Sequence, residues 1–268
     1  MDLQLQGKHV LITGGSKGIG LACALGFLQE GAKVSLVSRS EDNLQSGLQT
    51  LLDAMPDASD RIATYAANLG DPSAALAALD SAEQAGGPVD ILVNSAGAAR
   101  RTPPDELTPQ AWHDAMQAKY FTYIHMIDPT IKRMAQRGQG VIVNVIGAGG
   151  KVAGPVHLPG GAANAALMLA SAGLAAAYGP KGVRVNAVNP GLTLTERLKQ
   201  GMAVDAKLHG ISEDEAMRRA HERLPLRRIA EPEEIANAVV FLASARASYV
   251  SGAILAMDGA VTPMICEP

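Results

Sequence analysis

Eight residues near the start of the chain constrain its fold more than any others: Thr13-Gly14-Gly15-Ser16-Lys17-Gly18-Ile19-Gly20. They follow a short apolar run, His9–Thr13, and open a helical pattern. Glycines in such a loop allow a tight turn and let backbone amides approach a pyrophosphate. The helix that follows adds partial positive charge at its N-terminus. Strand, loop and helix in that order imply an α/β sheet with a dinucleotide at the strand ends.

The rest of the chain keeps that rhythm. Short β-rich runs recur at Lys33–Ser38, Ile62–Ala66, Ile91–Asn94, Val141–Ile146, Val183–Val188 and Ala253–Met257, with helical patterns between them. Several runs are continuously apolar, as strands buried on both faces are. The expected fold is a single Rossmann-type doubly wound parallel sheet of about seven strands, with helices on both faces. A hydrophobic content of 47% suits one core, and residues 1–268 read as one domain. The stretch 192–228 breaks the rhythm, being polar, charged and helical. It is expected to be either a substrate lid outside the carboxyl ends of the strands or a solvated helical excursion.

Composition narrows the partners. A net charge of −3 without basic runs, and an aromatic content of 3%, argue against nucleic acid. Cys23 and Cys266 lie far apart, and Cys23 sits among small apolar residues, so a disulfide framework is not expected. The start lacks a signal-peptide pattern. The run nearest to a membrane span, Gly160–Gly179, is mostly Ala and Gly and reads as a close-packed helix. These points favour the cytoplasm and no membrane. A small-molecule substrate is expected.

The second strand separates two cofactors. A dinucleotide fold ordinarily has Asp or Glu about 20 residues after the loop, to bind the ribose 2′-hydroxyl. Here the strand ends Leu36-Val37-Ser38-Arg39, with no acid at its tip. Arg39 can pair with a 2′-phosphate, and Lys17 adds a second cation. The expected cofactor is NADP(H).

Further motifs carry a family resemblance. Besides the glycine loop, they are Asn94-Ser95-Ala96-Gly97, Arg184-Val185-Asn186, Pro190-Gly191, Ser251-Gly252 and Asp258-Gly259. Together they resemble the short-chain dehydrogenase/reductase family over nearly the whole chain. The resemblance implies that Asn94, Ala96 and Gly97 line the cofactor cleft. It places Asn68 and Leu69 by the adenine, and Pro190, Gly191 and Thr193 by the nicotinamide. It also implies a homodimer or homotetramer formed through two long helices, roughly 110–135 and 160–178.

At the catalytic positions the chain departs from the family. The family uses a Tyr as general acid/base, a Lys four residues on, a Ser and an Asn. The matching positions here are Gly160, Asn164, Gly147 and Lys119, and the run from 147 to 160 needs no gap. A glycine has no side-chain proton to give, so the family's usual alcohol–carbonyl mechanism is not available as written. Lys and Asn stand exchanged between 119 and 164. That exchange either preserves charge behind the nicotinamide or joins two unrelated substitutions. His157, just before the missing Tyr, is the leading replacement proton donor. Tyr120 and Lys151 rank behind it, and the remaining histidines have no metal-ligand spacing. The glycines at 147, 149, 150, 160 and 161 predict free volume beside the nicotinamide. Two main readings stay open: an NADP(H)-dependent oxidoreductase with an altered proton donor, acting on a carbonyl, alcohol or enone, and a catalytically inactive NADP(H)-binding sensor or assembly subunit. A non-redox enzyme on the same fold is a third, since fold does not fix function.

Overall fold

Apolar runs that bury both faces can only stack side by side under helical layers, and they do so here. The computed structural model describes residues 1–97 and 99–262. The strands are β1 (His9–Thr13), β2 (Lys33–Ser38), β3 (Ile62–Ala66), β4 (Ile91–Asn94), β5 (Gly140–Val145), β6 (Val183–Pro190) and β7 (Ile254–Met257). They form one parallel sheet in the order β3-β2-β1-β4-β5-β6-β7. The doubly wound α/β architecture read from the sequence is therefore observed, and β1 and β4 are wholly buried.

Each face has its own core. Helices α1 (Gly18–Gln29), α2 (Glu41–Ala54) and α9 (Pro232–Ala243) cover one face, around Val10, Ile12, Phe27, Leu36 and Val239. Cys23 belongs to this core, and burial pushes its thiol up to about 12. Cys266 lies outside the described residues. Helices α3 (Pro72–Gly86), α5 (Thr122–Arg137) and α6 (Leu158–Tyr178) cover the other face, around Leu11, Leu92, Tyr123, Met126 and Leu167. Successive strands are added outward in one direction from β1 and in the other from β4, and this reversal of strand order opens a crevice at the carboxyl ends of the two parallel strands.

One element differs from the sequence expectation, and a second gains detail. The helix expected over about 110–135 has an irregular middle: α4 (Pro109–Ala115), a π-helical stretch at Met116–Phe121, then α5. Periodicity does not reveal a one-residue change of winding, and such stretches gather at functional sites. The segment 192–228 is helical, as expected, and carries a small core of its own. It folds as α7 (Glu196–His209) and α8 (Glu213–Arg223) around Leu198, Met202, Ala206, Ala216, Leu224 and Ile229. Thr195 and Ser212 cap the two helices, each cap contributing about 1 kcal/mol. A bridge between Thr193 and Ala230 joins the segment's two ends.

By length and composition, Pro155–Lys181 is apolar enough to cross a membrane. Here Ala163, Leu167, Met168 and Ala175 bury into the second core, while Leu169 stands 78% exposed. A depression of about 580 Å³, lined in part by Lys8, Asp90, Gly140 and Arg184, opens at the amino ends of the strands. That is the opposite end of the sheet from the glycine loop, and it plays no part in the site below.

Candidate active site

The glycine loop joins β1 to α1 at the centre of the sheet. Gly14 has φ +67°, and a Cβ there would lie 2.8 Å from the backbone of Ala96. Only glycine permits that approach of two loops. Helix α1 begins at Gly18 with no side-chain cap and no acid in its first turn. Its leading amides therefore keep the donors and partial charge that suit an anion. Ser16 donates to Ser38 across the loop at 3.0 Å. Arg39 and Lys17 are exposed, and neither meets a carboxylate among the described residues. Lys17 also faces the start of α7: Lys199 chiefly, and Lys17 in lesser part, hold the Glu196 carboxyl below its ordinary range. This cradle fits a phosphorylated dinucleotide by its own geometry.

A chain of buried polar groups forms the floor. Strand register sets Thr13 beside Asn94 and Asn94 beside Asn144. The Thr13 hydroxyl donates to Asn94 Oδ1 (3.2 Å), Asn94 Nδ2 donates to Asn144 Oδ1 (3.0 Å), and Asn144 Nδ2 donates to Ser171 Oγ (2.9 Å). Ser171 then donates to Leu167 O at 2.7 Å. The Thr13 hydroxyl also accepts from the amides of Ser95 and Ala96, fixing the turn after β4. Pro190 ends β6, and Gly191 and Thr193 follow, with Thr193 buried. Toward the opposite edge of the sheet, just after β3, Leu69 is buried and Asn68 exposed.

The catalytic side holds the larger corrections. The free volume expected beside the glycines is filled. The His157 imidazole covers Gly160: a Cβ there would lie 2.6 Å from its Nε2 and 2.8 Å from its Nδ1. The same ring lies 3.0 Å from a Cβ position at Gly149. Met168 occupies the space at Gly150, and the carbonyl of Gly149 occupies that at Gly161. His157 sits in a short turn, Pro155–His157, directly before α6, and its Nδ1 is buried without a partner. Burial first, then the positive charges of Arg197, Arg101 and Lys119, push it down to about 4. It is therefore an uncharged imidazole at neutral pH.

Lys119 is only 7% exposed and lies in the π-helical stretch. Its Nζ donates to Tyr123 Oη (2.8 Å) and to Val145 O (3.1 Å). Burial, and secondarily Arg197, push it down to about 7. Tyr123, fully buried, donates to the same Val145 carbonyl, and burial raises its phenol. Asn164 is buried and lies beside Gly147, with Nδ2 3.5 Å from the Gly147 carbonyl. No hydrogen bond joins Lys119 to Asn164 among the described residues. Lys151 is exposed, and Tyr120 packs edge-on against Phe121.

Three residues of this site were missed by sequence reasoning. Tyr123 stands one helical turn from Lys119, a spacing visible in the sequence. Arg101 and Arg197 carry no local signal, because only the fold brings the loop after β4 against α7.

Comparison with known proteins agrees with this geometry. A family model described as enoyl-(acyl carrier protein) reductase matches residues 14–262. The D-threitol dehydrogenase of Mycolicibacterium smegmatis is 33% identical over 261 residues, covering 97% of this chain and 95% of that protein. The L-sorbose reductase of Gluconobacter frateurii, solved with NADPH and L-sorbose, superposes with a TM-score of 0.90 at 31% identity, over 99% of this chain and 100% of that one. An NADPH-bound short-chain oxidoreductase from Pseudomonas aeruginosa PAO1, described as containing an atypical catalytic center, superposes at 0.85 with 28% identity, over 96% and 98% of the two chains. With its strand order, its glycine cradle and these relatives, the chain belongs to the short-chain dehydrogenase/reductase family.

Proposed function

We propose that the protein is an NADP(H)-dependent oxidoreductase whose proton handling has moved off the family's usual residues, acting on a carbonyl, alcohol or enone. The observation that carries this reading is the His157 imidazole lying over Gly160. A polar ring occupies the volume that a side chain at 160 would need.

In this reading the pyrophosphate rests on Gly14, Ser16, Gly18, Ile19 and Gly20. Ser38, Arg39 and Lys17 meet the 2′-phosphate, and Asn68 and Leu69 flank the adenine. Asn94, Ala96, Gly97, Asn164, Pro190, Gly191 and Thr193 line the remainder of the cleft. Bound there, the cofactor supplies or accepts a hydride. The chain's own part is to polarise the substrate oxygen and manage its proton. His157, uncharged near pH 7, donates an N–H hydrogen bond to that oxygen, as a neutral imidazole can. Lys119 is the group in the cluster whose proton occupancy changes near neutral pH. Helices α7 and α8 form the lid over the substrate. Exposed Trp112, Phe121 and Leu169 on α4, the π stretch and α6 support pairing of two copies through these helices.

The test is a titration with NADPH and NADH, followed by absorbance loss on a panel of ketones, aldehydes and enones. The expected result is tighter binding of NADPH and turnover that falls at least tenfold in His157→Ala. Tight NADPH binding without turnover on the whole panel would instead favour a non-catalytic binding protein.

A further inference from the structure

The roof of the site carries more positive charge than it balances. Arg197, in the first turn of α7, donates to the carbonyl oxygens of Gly97 (3.4 Å) and Ala99 (3.3 Å). Both contacts are long, and it has no carboxylate partner among the described residues. Arg101 donates to Gly201 O (3.4 Å) and pairs with Asp205 at 3.1 Å. The Thr102 amide donates to Val156 O at 2.9 Å, which ties the Arg101 loop to the turn holding His157. Lys119 lies just below, its Cα 3.2 Å from a Cβ position at Gly97. The positive charges of Arg197, Arg101 and Lys119 thus all act on one imidazole, and every charge that shifts His157 is positive. Asp205 is the one carboxylate bonded to any of the four among the described residues.

Arg197 is exposed, so its guanidinium stands open to a ligand entering from solvent. A guanidinium with weak backbone contacts has donors to spare, and its fork matches carboxylate or phosphate oxygens. The cofactor's phosphates have their own cradle at the α1 N-terminus. The charges acting from Arg197 reach His157, Lys119 and Tyr123, on the substrate side of the crevice.

We infer that the substrate is an anion, a carbonyl or alcohol compound bearing a carboxylate or phosphate that Arg197, assisted by Arg101, holds over His157; this rests on the oxidoreductase reading above.

Calorimetric titration of the protein with bound NADP⁺ tests it with matched probes: levulinate against methyl levulinate, and dihydroxyacetone phosphate against dihydroxyacetone. NADPH consumption is followed in parallel. The expected result is at least tenfold tighter binding of one anion than of its neutral partner, which also decides between carboxylate and phosphate. In Arg197→Gln that preference shrinks to less than threefold with NADPH affinity unchanged, and Arg197→Lys recovers part of it. Equal binding of anion and neutral probe, or no measurable binding of either anion, overturns the inference. So does an Arg197→Gln variant that keeps the preference and loses NADPH affinity, which would assign Arg197 to the cofactor. Anion preference without any NADPH consumption sinks the oxidoreductase reading and leaves standing only the anion site at Arg197. Turnover without anion preference does the reverse.

Discussion

Replacing Lys119 by Met nearly keeps the volume of the side chain, one atom shorter, and removes its charge. Burial pushes this ammonium down to about 7, from an ordinary value near about 10.4. The unfolded chain therefore holds the proton across a window where the folded chain releases it. The unfolded state binds more protons there, so wild-type stability rises with pH from about 7 to about 10.4. At about 1.4 kcal/mol for each factor of ten, the cost of keeping Lys119 folded is roughly 4 kcal/mol at pH 7 and under about 1 kcal/mol at pH 10. Against this stand its hydrogen bonds to Tyr123 and Val145, each contributing about 1 kcal/mol net. Tyr123 keeps its own bond to Val145 in the variant. Lys119→Met should thus be more stable than wild type by roughly 2 kcal/mol at pH 7 and less stable by roughly 1 kcal/mol at pH 10. Urea unfolding of both proteins at the two pH values measures this. A difference of the same sign and size at both would refute the reasoning, because the hydrogen bonds and not the buried charge would then dominate.

Other positions give sharper local tests. Gly160→Ala sets a methyl group against the His157 ring and should cost about 1–3 kcal/mol by overpacking; thermal melts should show that adding His157→Ala removes most of this cost. His157 should stay neutral between pH 5.5 and 8 in an NMR titration, since burial and three nearby cations hold it down to about 4; a midpoint near its ordinary value would show an exposed ring. Arg39→Ala should weaken NADPH roughly 10- to 100-fold, the worth of a lost charge-assisted hydrogen bond, and leave NADH within about twofold; equal losses for both would remove the 2′-phosphate assignment.

Much of the fold was legible because it rests on local pattern. Buried parallel strands are continuous apolar runs, and β1 to β4 end where the sequence places them. The phosphate cradle was legible for the same reason, as its glycines, strand and helix are adjacent in the chain. The candidate active site was legible only by position. Gly160 can be recognised in the sequence, but the ring that fills its space comes from a turn whose path no periodicity describes. The glycines beside it suggested a void because a sequence shows what a residue lacks and not what a neighbour inserts. Arg101 and Arg197 are 96 residues apart, and only long-range packing brings them to the same imidazole. The π-helical winding around Lys119 is a small departure from an ordinary helical pattern, too small for side-chain spacing to register.

The buried chain from Thr13 to Leu167 has one further consequence. Its four side-chain donors all point the same way, so each amide orientation is dictated by the group before it. Replacing either asparagine by aspartate would turn a donor into an acceptor and break the line, whereas an exposed asparagine would tolerate the change. Helix α6 is clamped to this line at Ser171, two turns beyond Asn164. Its mouth, at Gly160 and Asn164, is therefore free to change chemistry while the helix keeps its address on the sheet.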